Sequence, residues 1–422
     1  MKHIFFSILF ISISFQTSFA IDSVLNLNDD RLAMECKIDL MLQAQTSISM
    51  SYYAINEDEV GLKYAAAACY KAKQGLKVKI IIERSRSKVT KDLVQLFRDY
   101  GINIKYYNSF RAQKVQKNFS WLHNKLLVAD ADYVVLGGRN LNDKYYPNSE
   151  QKTELTDFET LIKGKSGADA HVYIDHLMNS RFGDKPKIKK KDIDTTSYKH
   201  LDSIIQHHFV NFKNHVPKNW DSLLYAVKDV EFIHDNYDHW PKSKHISDSI
   251  LYTLRRAKKN IVIVSPYLIP PLRFMKALKK AAKHNVAVTL ISNSPQLSDA
   301  KIIAAAYMND RRKYLKRGIK VFEYNGEKMM HDKLFLIDDS ISIVGSCNFD
   351  NISFRMNSEV IAKINDVDFG ALLKVHVDQR IMNCFKVESV RSKNPYNNHK
   401  IRRRTTWNRI LLRIFPFIKR FL

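Results

Sequence analysis

Cysteine is scarce: the chain has four in 422 residues. Cys36, Cys69, Cys347 and Cys384 are so widely and irregularly spaced that they match neither a metal-ligand pattern nor a disulfide framework. Only Cys36 and Cys69, on two early helical stretches, form a pair to consider in an oxidising compartment. Glycine forms no Walker-type or dinucleotide pattern, which removes the common nucleotide-binding readings. Beyond the first residues no apolar run is long enough to span a bilayer. Acid is also in short supply, with 43 Asp and Glu against 68 Lys and Arg, a formal charge of +25. A field of that sign attracts phosphate-rich partners, either an anionic membrane surface or nucleic acid. With 45% hydrophobic and 26% charged residues, the chain is globular and long enough for two domains with cores of their own.

The two ends have distinct grammars. Residues 1–20, "MKHIFFSILFISISFQTSFA", carry Lys2, an apolar run from Ile4 to Phe15 and small residues at Ser18 and Ala20. This is the pattern of a secretory signal cut after Ala20, and it predicts an exported protein of the periplasm or membrane periphery, or one secreted further. At the other end, the tail 391–422 includes "KIRRRTTWNRILLRIFPFIKRFL". Lys400, Arg402, Arg403 and Arg404 precede Trp407, Ile410, Leu411, Ile414, Phe415, Phe417 and Phe421, a combination suited to the headgroup boundary of an anionic membrane. Pro416 ends or kinks any helix there. A helix packed on the protein's own core is the alternative reading of this tail.

Between the ends the sequence repeats itself. "SISMSYYAI" (47–55) alternates as a strand, 59–75 is an Ala-rich helix, and "LKVKIII" (76–82) is a second strand. The same order returns as a strand at 260–269, a helix at 272–285 and a strand at 286–292. Gly75 and Asn285 stand at the two equivalent helix ends, where a left-handed residue is needed. Later echoes, "HVYIDHLMN" from 171 and "HVDQRIMN" from 376, extend the match. The reading is an α/β chain of two duplicated α/β/α sandwich halves with mixed sheets, 21–182 and 229–390, related by a pseudo-twofold axis. Residues 183–228 form a basic connector whose "GDKPKIKKKD" reads as an exposed boundary.

Each half also carries one polar motif. "HNKLLVADADYVVLGGRN" (123–140) and "HDKLFLIDDSISIVGSCN" (331–348) agree in His, Lys, Asp, Gly and Asn. Each reads as strand, turn, strand, so alternation sets His123 beside Lys125 and His331 beside Lys333. Asn140 and Asn348 add amide donors to the rim. Two imidazoles, two ammoniums and two amides suit a phosphodiester in a pentacoordinate transition state without a metal or other cofactor. One neutral His can attack phosphorus while the other, protonated, donates to the leaving oxygen. A nucleophilic ring needs a carboxylate to orient it. Glu359, and Asp157 in the equivalent place of the first half, take that role, with Glu154 and Glu159 as rivals to Asp157. Asp130 and Asp338 complete the six motif residues of the catalytic set, although their strand phase suits network-forming residues better than direct acids.

These motifs resemble those of the phospholipase D superfamily, defined by two H-x-K-x4-D signatures. "SYYAI", "FIHDN", the stretch 291–324 and "GSCNFDNISFRMNSE" are most similar to bacterial cardiolipin synthases of the C type. The resemblance implies metal-independent phosphatidyl transfer, with His123 carrying a covalent intermediate and His331 acting as acid and then base. The chain departs from the family pattern at Ile352, where an Arg is common before Ser353, and at Gly137-Gly138-Arg139-Asn140, where Gly-Ser-x-Asn is usual. The expected substrate is an anionic or zwitterionic phospholipid. Nucleic acid is the second class of partner, against which the apolar tail argues. Both motifs lie in one chain, so a monomer suffices.

Overall fold

The computed structural model describes residues 22–107, 121–149, 153–235, 243–389, 392, 394–395 and 399–422. The signal expected at 1–20 lies outside the described residues, as do the side chains of Lys400, Arg402, Arg403, Arg404, Pro416 and Phe421.

Short apolar runs form two large sheets. The first half supplies β1 (Ser23–Leu27), β2 (Ser47–Tyr52), β3 (Lys77–Glu83), β4 (Asn103–Tyr107), β5 (Lys125–Ala129), β6 (Tyr133–Gly137), β7 (Leu155–Thr156), β8 (Glu159–Lys163), β9 (Gly183–Asp184) and β10 (Tyr225–Ala226). The second supplies β11 (Val230–His234), β12 (Asn260–Val264), β13 (Leu268–Ile269), β14 (Ala287–Asn293), β15 (Lys320–Tyr324), β16 (Met329–Met330), β17 (Leu334–Ile337), β18 (Ile341–Gly345), β19 (Phe349–Asp350), β20 (Val360–Asn365) and β21 (Cys384–Lys386). The strand order is β1-β8-β6-β5-β2-β3-β4-β9 in one sheet and β11-β20-β18-β17-β12-β14-β15-β21 in the other, with β10 added beside β1. The two orders correspond strand for strand. In each, a parallel trio, β2-β3-β4 or β12-β14-β15, joins antiparallel neighbours, so both sheets are mixed.

Helices occupy three layers. α1 (Asp30–Gln43), α2 (Glu59–Lys73) and α3 (Lys91–Asp99) cover the outer face of the first sheet. α4 (Lys165–Asn179) places Ile174 and Leu177 in the core between the sheets. α5 (Thr195–Lys213) joins the first outer layer through Leu201, Ile205 and Phe212. α6 (His245–Arg256), α7 (Leu272–Lys283) and α8 (Lys301–Leu315) cover the second sheet. After α9 (Asn351–Arg355), α10 (Val367–Met382) is the counterpart of α4 and brings Leu373 and Val377 to the central core. That core also takes Leu126 and Val128 from β5 and Leu334 and Leu336 from β17. Alternation sends their neighbours Leu127 and Phe335 to the outer cores. The duplicated α/β reading therefore holds, and both sequence echoes fall on α4 and α10. Gly75 and Asn285 have φ of 93° and 61°, the left-handed conformation that lets each helix stop and the next strand begin.

Two expectations need correction. The connector is no free-standing linker: β9 pairs with β4, β10 pairs with β1, and Trp220 is buried in the first core. Its lysines 189–191 are exposed, but its apolar residues belong to the first half. Cys36 and Cys69 are separate free thiols, each buried in the apolar packing of that core.

The tail packs on the second half and still leaves bulky apolar residues exposed. α11 (His399–Ile414) packs on α8, burying Leu412 with Ile269, Ala305 and Ala306. Trp407 and Ile414 of this helix and Phe417 beyond it stay exposed at 69%, 63% and 57%. No described helix is long and apolar enough to cross a membrane.

Candidate active site

The two motif hairpins, β5-β6 and β17-β18, begin at the boundary between the halves, where the chain crosses over in short parallel bridges. Leu122 pairs with Ser358, and the His123 amide donates to the Ser358 carbonyl at 2.9 Å. In the same way β7 pairs with β16, and the His331 amide donates to the Thr156 carbonyl at 2.8 Å. One residue beyond each bridge stands a carboxylate of the opposite half. His123 Nδ1 lies 2.9 and 3.0 Å from the two oxygens of Glu359. His331 Nδ1 lies 2.6 Å from Asp157 Oδ2. The two carboxylates named from sequence each lie within hydrogen-bonding distance of the histidine of the other half. The rivals are elsewhere: Glu154 pairs with Lys144 on the surface, and buried Glu159 holds Lys37 and Arg139.

A carboxylate on Nδ1 fixes the tautomer. With Nδ1–H donated to the acid, Nε2 keeps its lone pair or takes the reactive proton. Both rings are almost fully enclosed, and a tyrosine meets each edge-on: Tyr53 against His123 at 4.8 Å, Tyr145 against His331 at 5.5 Å. Lys125 Nζ donates to the His123 carbonyl at 2.7 Å and sits 4.8 Å from the Tyr53 ring centre. Lys333 Nζ donates to the His331 carbonyl, and lies 2.6 Å from His331 Nδ1 and 3.6 Å from Asp157 Oδ2.

Electrostatics separate the two histidines. Burial, then Lys125, Lys333 and His331, hold His123 well below the ordinary imidazole range. Burial and Lys333 also lower His331, but Asp157 opposes them. Burial pushes both lysines down, Lys125 the further, while Asp157, Asp332 and Glu359 support the charge of Lys333. Asp157 would rise on burial, yet Lys333 and His331 outweigh that and hold it below the usual carboxylate range.

The departure at Gly137-Gly138-Arg139-Asn140 now has a physical account. Ser346 Oγ donates to Glu359 Oε2 at 2.5 Å and Asn357 Nδ2 to Oε1 at 3.3 Å. The corresponding residue in the first half is Gly138, where a Cβ would come within 2.2 Å of the Asp157 carboxylate. The shorter acid sits against glycine, and the longer one receives a serine. Arg139, fully buried, donates to the Asp157 carbonyl at 2.5 Å and to Asp30 at 2.9 Å, locking the strand that carries the acid.

The remaining motif residues divide. Asn140 accepts from the Ala54 amide at 3.2 Å and donates to Tyr145 at 3.1 Å. Among the described residues nothing donates to the buried Oδ1 of Asn348. Both are almost fully buried. Asp130 and Asp338 do not reach the histidines. Each stands at the far end of a motif strand, on the order of 20 Å away at about 3.3 Å per residue. Asp130 caps the amides of Gln45, Thr46 and Ser47, and Asp338 those of Lys258, Lys259 and Asn260. Both have positive φ, as do Ala131 and Asp339 after them, in tight three-residue hairpin loops between Ala129 and Tyr133 and between Ile337 and Ile341. Their place in the catalytic set is therefore corrected to a structural one.

Sequence reasoning did not single out the partners of the residue between His and Lys. Asn124 donates to Ser51 at 3.2 Å and to Tyr173 at 2.7 Å. Asp332 instead receives His376 at 3.1 Å and Arg380 at 2.7 Å, and Arg380 reaches Thr156 of the first half at 2.8 Å. The histidine opening the second echo was the available signal. Among the described residues no group of three or more His, Cys, Asp or Glu side chains is arranged to hold a metal ion.

Paired sheets with crosswise His–carboxylate couples define a duplicated phospholipase D-like enzyme. The family model described as "Cardiolipin synthase, PLD-like domain" matches residues 38–166 and again 250–381, and the chain belongs to that family. It is 25% identical over 343 residues to a cardiolipin synthase of Clostridium perfringens, covering 79% of this chain and 66% of that protein. It is 26% identical to cardiolipin synthase B of Salmonella typhi, covering 88% and 81%. The fold matches the crystal structure of the Haemophilus influenzae phosphatidylserine synthase with a TM-score of 0.67 at 16% identity, covering 96% of this chain and 98% of that one.

Proposed function

We propose that the protein is a phosphatidyltransferase of the cardiolipin synthase type, working through a phosphohistidine on His123. The observation that carries this reading is the crosswise pair of Nδ1–carboxylate bonds, which leaves one reactive Nε2 on each ring. Neutral His123 attacks phosphorus through Nε2. The bond from phosphorus to the headgroup oxygen breaks, and that oxygen takes the proton of His331 Nε2. Lys125, Lys333, Asn140 and Asn348 supply positive charge and donors to the equatorial oxygens as negative charge develops. A hydroxyl, of a second lipid or of water, then attacks from the vacated side. His331, now neutral, removes its proton, the nitrogen–phosphorus bond breaks, and the diester is released. The cations around His123 favour its neutral form and suit it to attack, and the support of Asp157 suits His331 to the acid role.

The membrane and export belong to the same proposal. The exposed Trp407, Ile414 and Phe417 are bulky apolar residues on a chain of charge +25, a surface fitted to anionic lipid. The N-terminal grammar directs the protein across a membrane before it meets that lipid.

Mass spectrometry of products from phosphatidylglycerol and phosphatidylethanolamine vesicles tests the reading. Cardiolipin that disappears in both His123→Ala and His331→Ala is the expected result. Phosphatidic acid alone would replace transfer by hydrolysis. No lipid product, with vesicles bound, would send the reading to a nucleic-acid phosphodiester.

A further inference from the structure

The lysine-rich run that opens the connector is more than a solvated boundary. β9 pairs with Tyr106 and Tyr107 of β4, and from there burial alternates: Lys185 and Lys187 are exposed, Pro186 is buried and Ile188 packs against the first core. Arg98 donates to the Pro186 carbonyl and anchors the segment from below. Extended chain with this alternation projects Lys185 and Lys187 to the same side. They face a cavity of about 720 Å³ whose wall also holds Arg84, Lys91, Tyr106 and Ile188.

The charges are concentrated in that cavity. Arg84 lies 5.7 Å from the Tyr106 ring centre, and Lys91 is 3.2 Å from Asp192. Among the described residues Asp184 is the one acid on the wall. Lys185 and Lys187 form no hydrogen bond or ion pair among the described residues, so their charge is available to a ligand. The apolar part of the wall, Val89, Pro186 and Ile188, gives the pocket a polar mouth and a greasy side. Its volume suits one headgroup with the start of its chains. Nucleic acid calls for a longer basic stripe.

The pocket also adjoins the histidine cleft. Arg86, on the same loop as Arg84 and Ser87, stacks 4.5 Å from Trp121 and 5.8 Å from Tyr53, the ring that packs on His123. We infer that this pocket is a second phosphate site, which holds the headgroup phosphate of an anionic glycerophospholipid outside the cleft. The inference rests on the lipid reading above and names a place where lipid is held without being cleaved.

The test reads binding alone, so it stands apart from whether any lipid is converted. Full-length His123→Ala protein is titrated with phosphatidylglycerol–phosphatidylcholine vesicles, with and without Lys185→Ala/Lys187→Ala. The double variant Lys279→Ala/Lys280→Ala, on exposed α7 lysines of the other half, reports the general field. Removing the pocket lysines is expected to weaken binding about 30-fold, from roughly 1 kcal/mol per charge, with a much smaller loss for the α7 pair. Glycerol phosphate should compete and erase the difference. Equal losses in both double variants, or none in the pocket variant, would overturn the site. So would a Lys185/Lys187 dependence seen only with inorganic phosphate or a single-stranded oligonucleotide and not with vesicles. Melting curves for both double variants exclude unfolding as the cause.

Discussion

The two halves share a strand order and a motif but differ in the layer behind the motif. Behind His123 that layer is neutral, Asn124 with Tyr173 and Ser51. Behind His331 it is ionic, Asp332 with Arg380 and His376. Burial of a charge is costly unless it is paired, so the second half uses three charge-capable groups to keep one carboxylate close to Lys333. The consequence is that Asp332 supports the charge of Lys333, where the first half has neutral Asn124 in the matching place. Duplication supplies matching geometry, and a single position, Asn124 against Asp332, accompanies different chemical tendencies.

The largest effect that breaks this comparison comes from the rings themselves. His123→Ala and His331→Ala should each lower transfer at least about a thousandfold. They should part company on a phosphodiester with an activated phenol leaving group, which needs no acid: His331→Ala regains formation of the covalent adduct and His123→Ala does not. Quenched-flow trapping of an acid-labile phosphoprotein reads the difference.

Next come the carboxylates. Glu359→Gln and Asp157→Asn keep shape but lose the charge that fixes the tautomer, with expected losses of about 10² to 10⁴ in kcat. The crosswise pairing makes Glu359→Gln a defect of His123, seen as slow adduct formation, and Asp157→Asn a defect of His331, seen as loss of leaving-group assistance. The reverse assignment in single-turnover kinetics would sink the pairing.

A smaller shift follows from the ionic layer. Asp332 is held far below the usual carboxylate range because Arg380 and His376 outweigh its burial, so it is charged at any working pH. Removing that charge withdraws support from protonated Lys333, which lies against His331. The alkaline limb of the kcat profile for Asp332→Asn should therefore move to lower pH, by roughly one unit. The complementary Asn124→Asp should raise the proton affinity of His123 and slow adduct formation at neutral pH. A pH profile unchanged in both would separate the layer from the chemistry.

The smallest catalytic effect belongs to the motif aspartates. Asp130→Ala frees three backbone amides and should cost roughly 2–3 kcal/mol of stability, while activity per folded molecule falls far less than for the carboxylates above. Asp130 is lowered because those amides outweigh its burial. Its stabilisation is present above the unfolded carboxyl pKa and is lost as pH falls through the lower folded value. The gap in melting temperature between wild type and variant should therefore close below about pH 4.

Much of this was legible in the chain, for reasons that vary by residue. Helix stops at Gly75 and Asn285 and the motif strands are local properties, written in periodicity and backbone preference. Asp157 and Glu359 were found through their equivalent places in the repeat, but their exchange between halves was not, because pairing across halves leaves no periodic trace. The connector misled because charge dominates its composition, while Leu201, Ile205 and Trp220 bury it. Asp130 and Asp338 sit inside a motif of reactive residues, and only three-dimensional placement tells a turn-forming carboxylate from a reacting one.

The bridges Leu122–Ser358 and Met330–Thr156 stand one residue from the two histidines. Any sliding of one half past the other must therefore stretch the Glu359 and Asp157 bonds together. Alignment is gauged at the two points where misfit is felt most, so a distorted molecule loses both proton-handling rings at once and falls silent instead of cleaving at random.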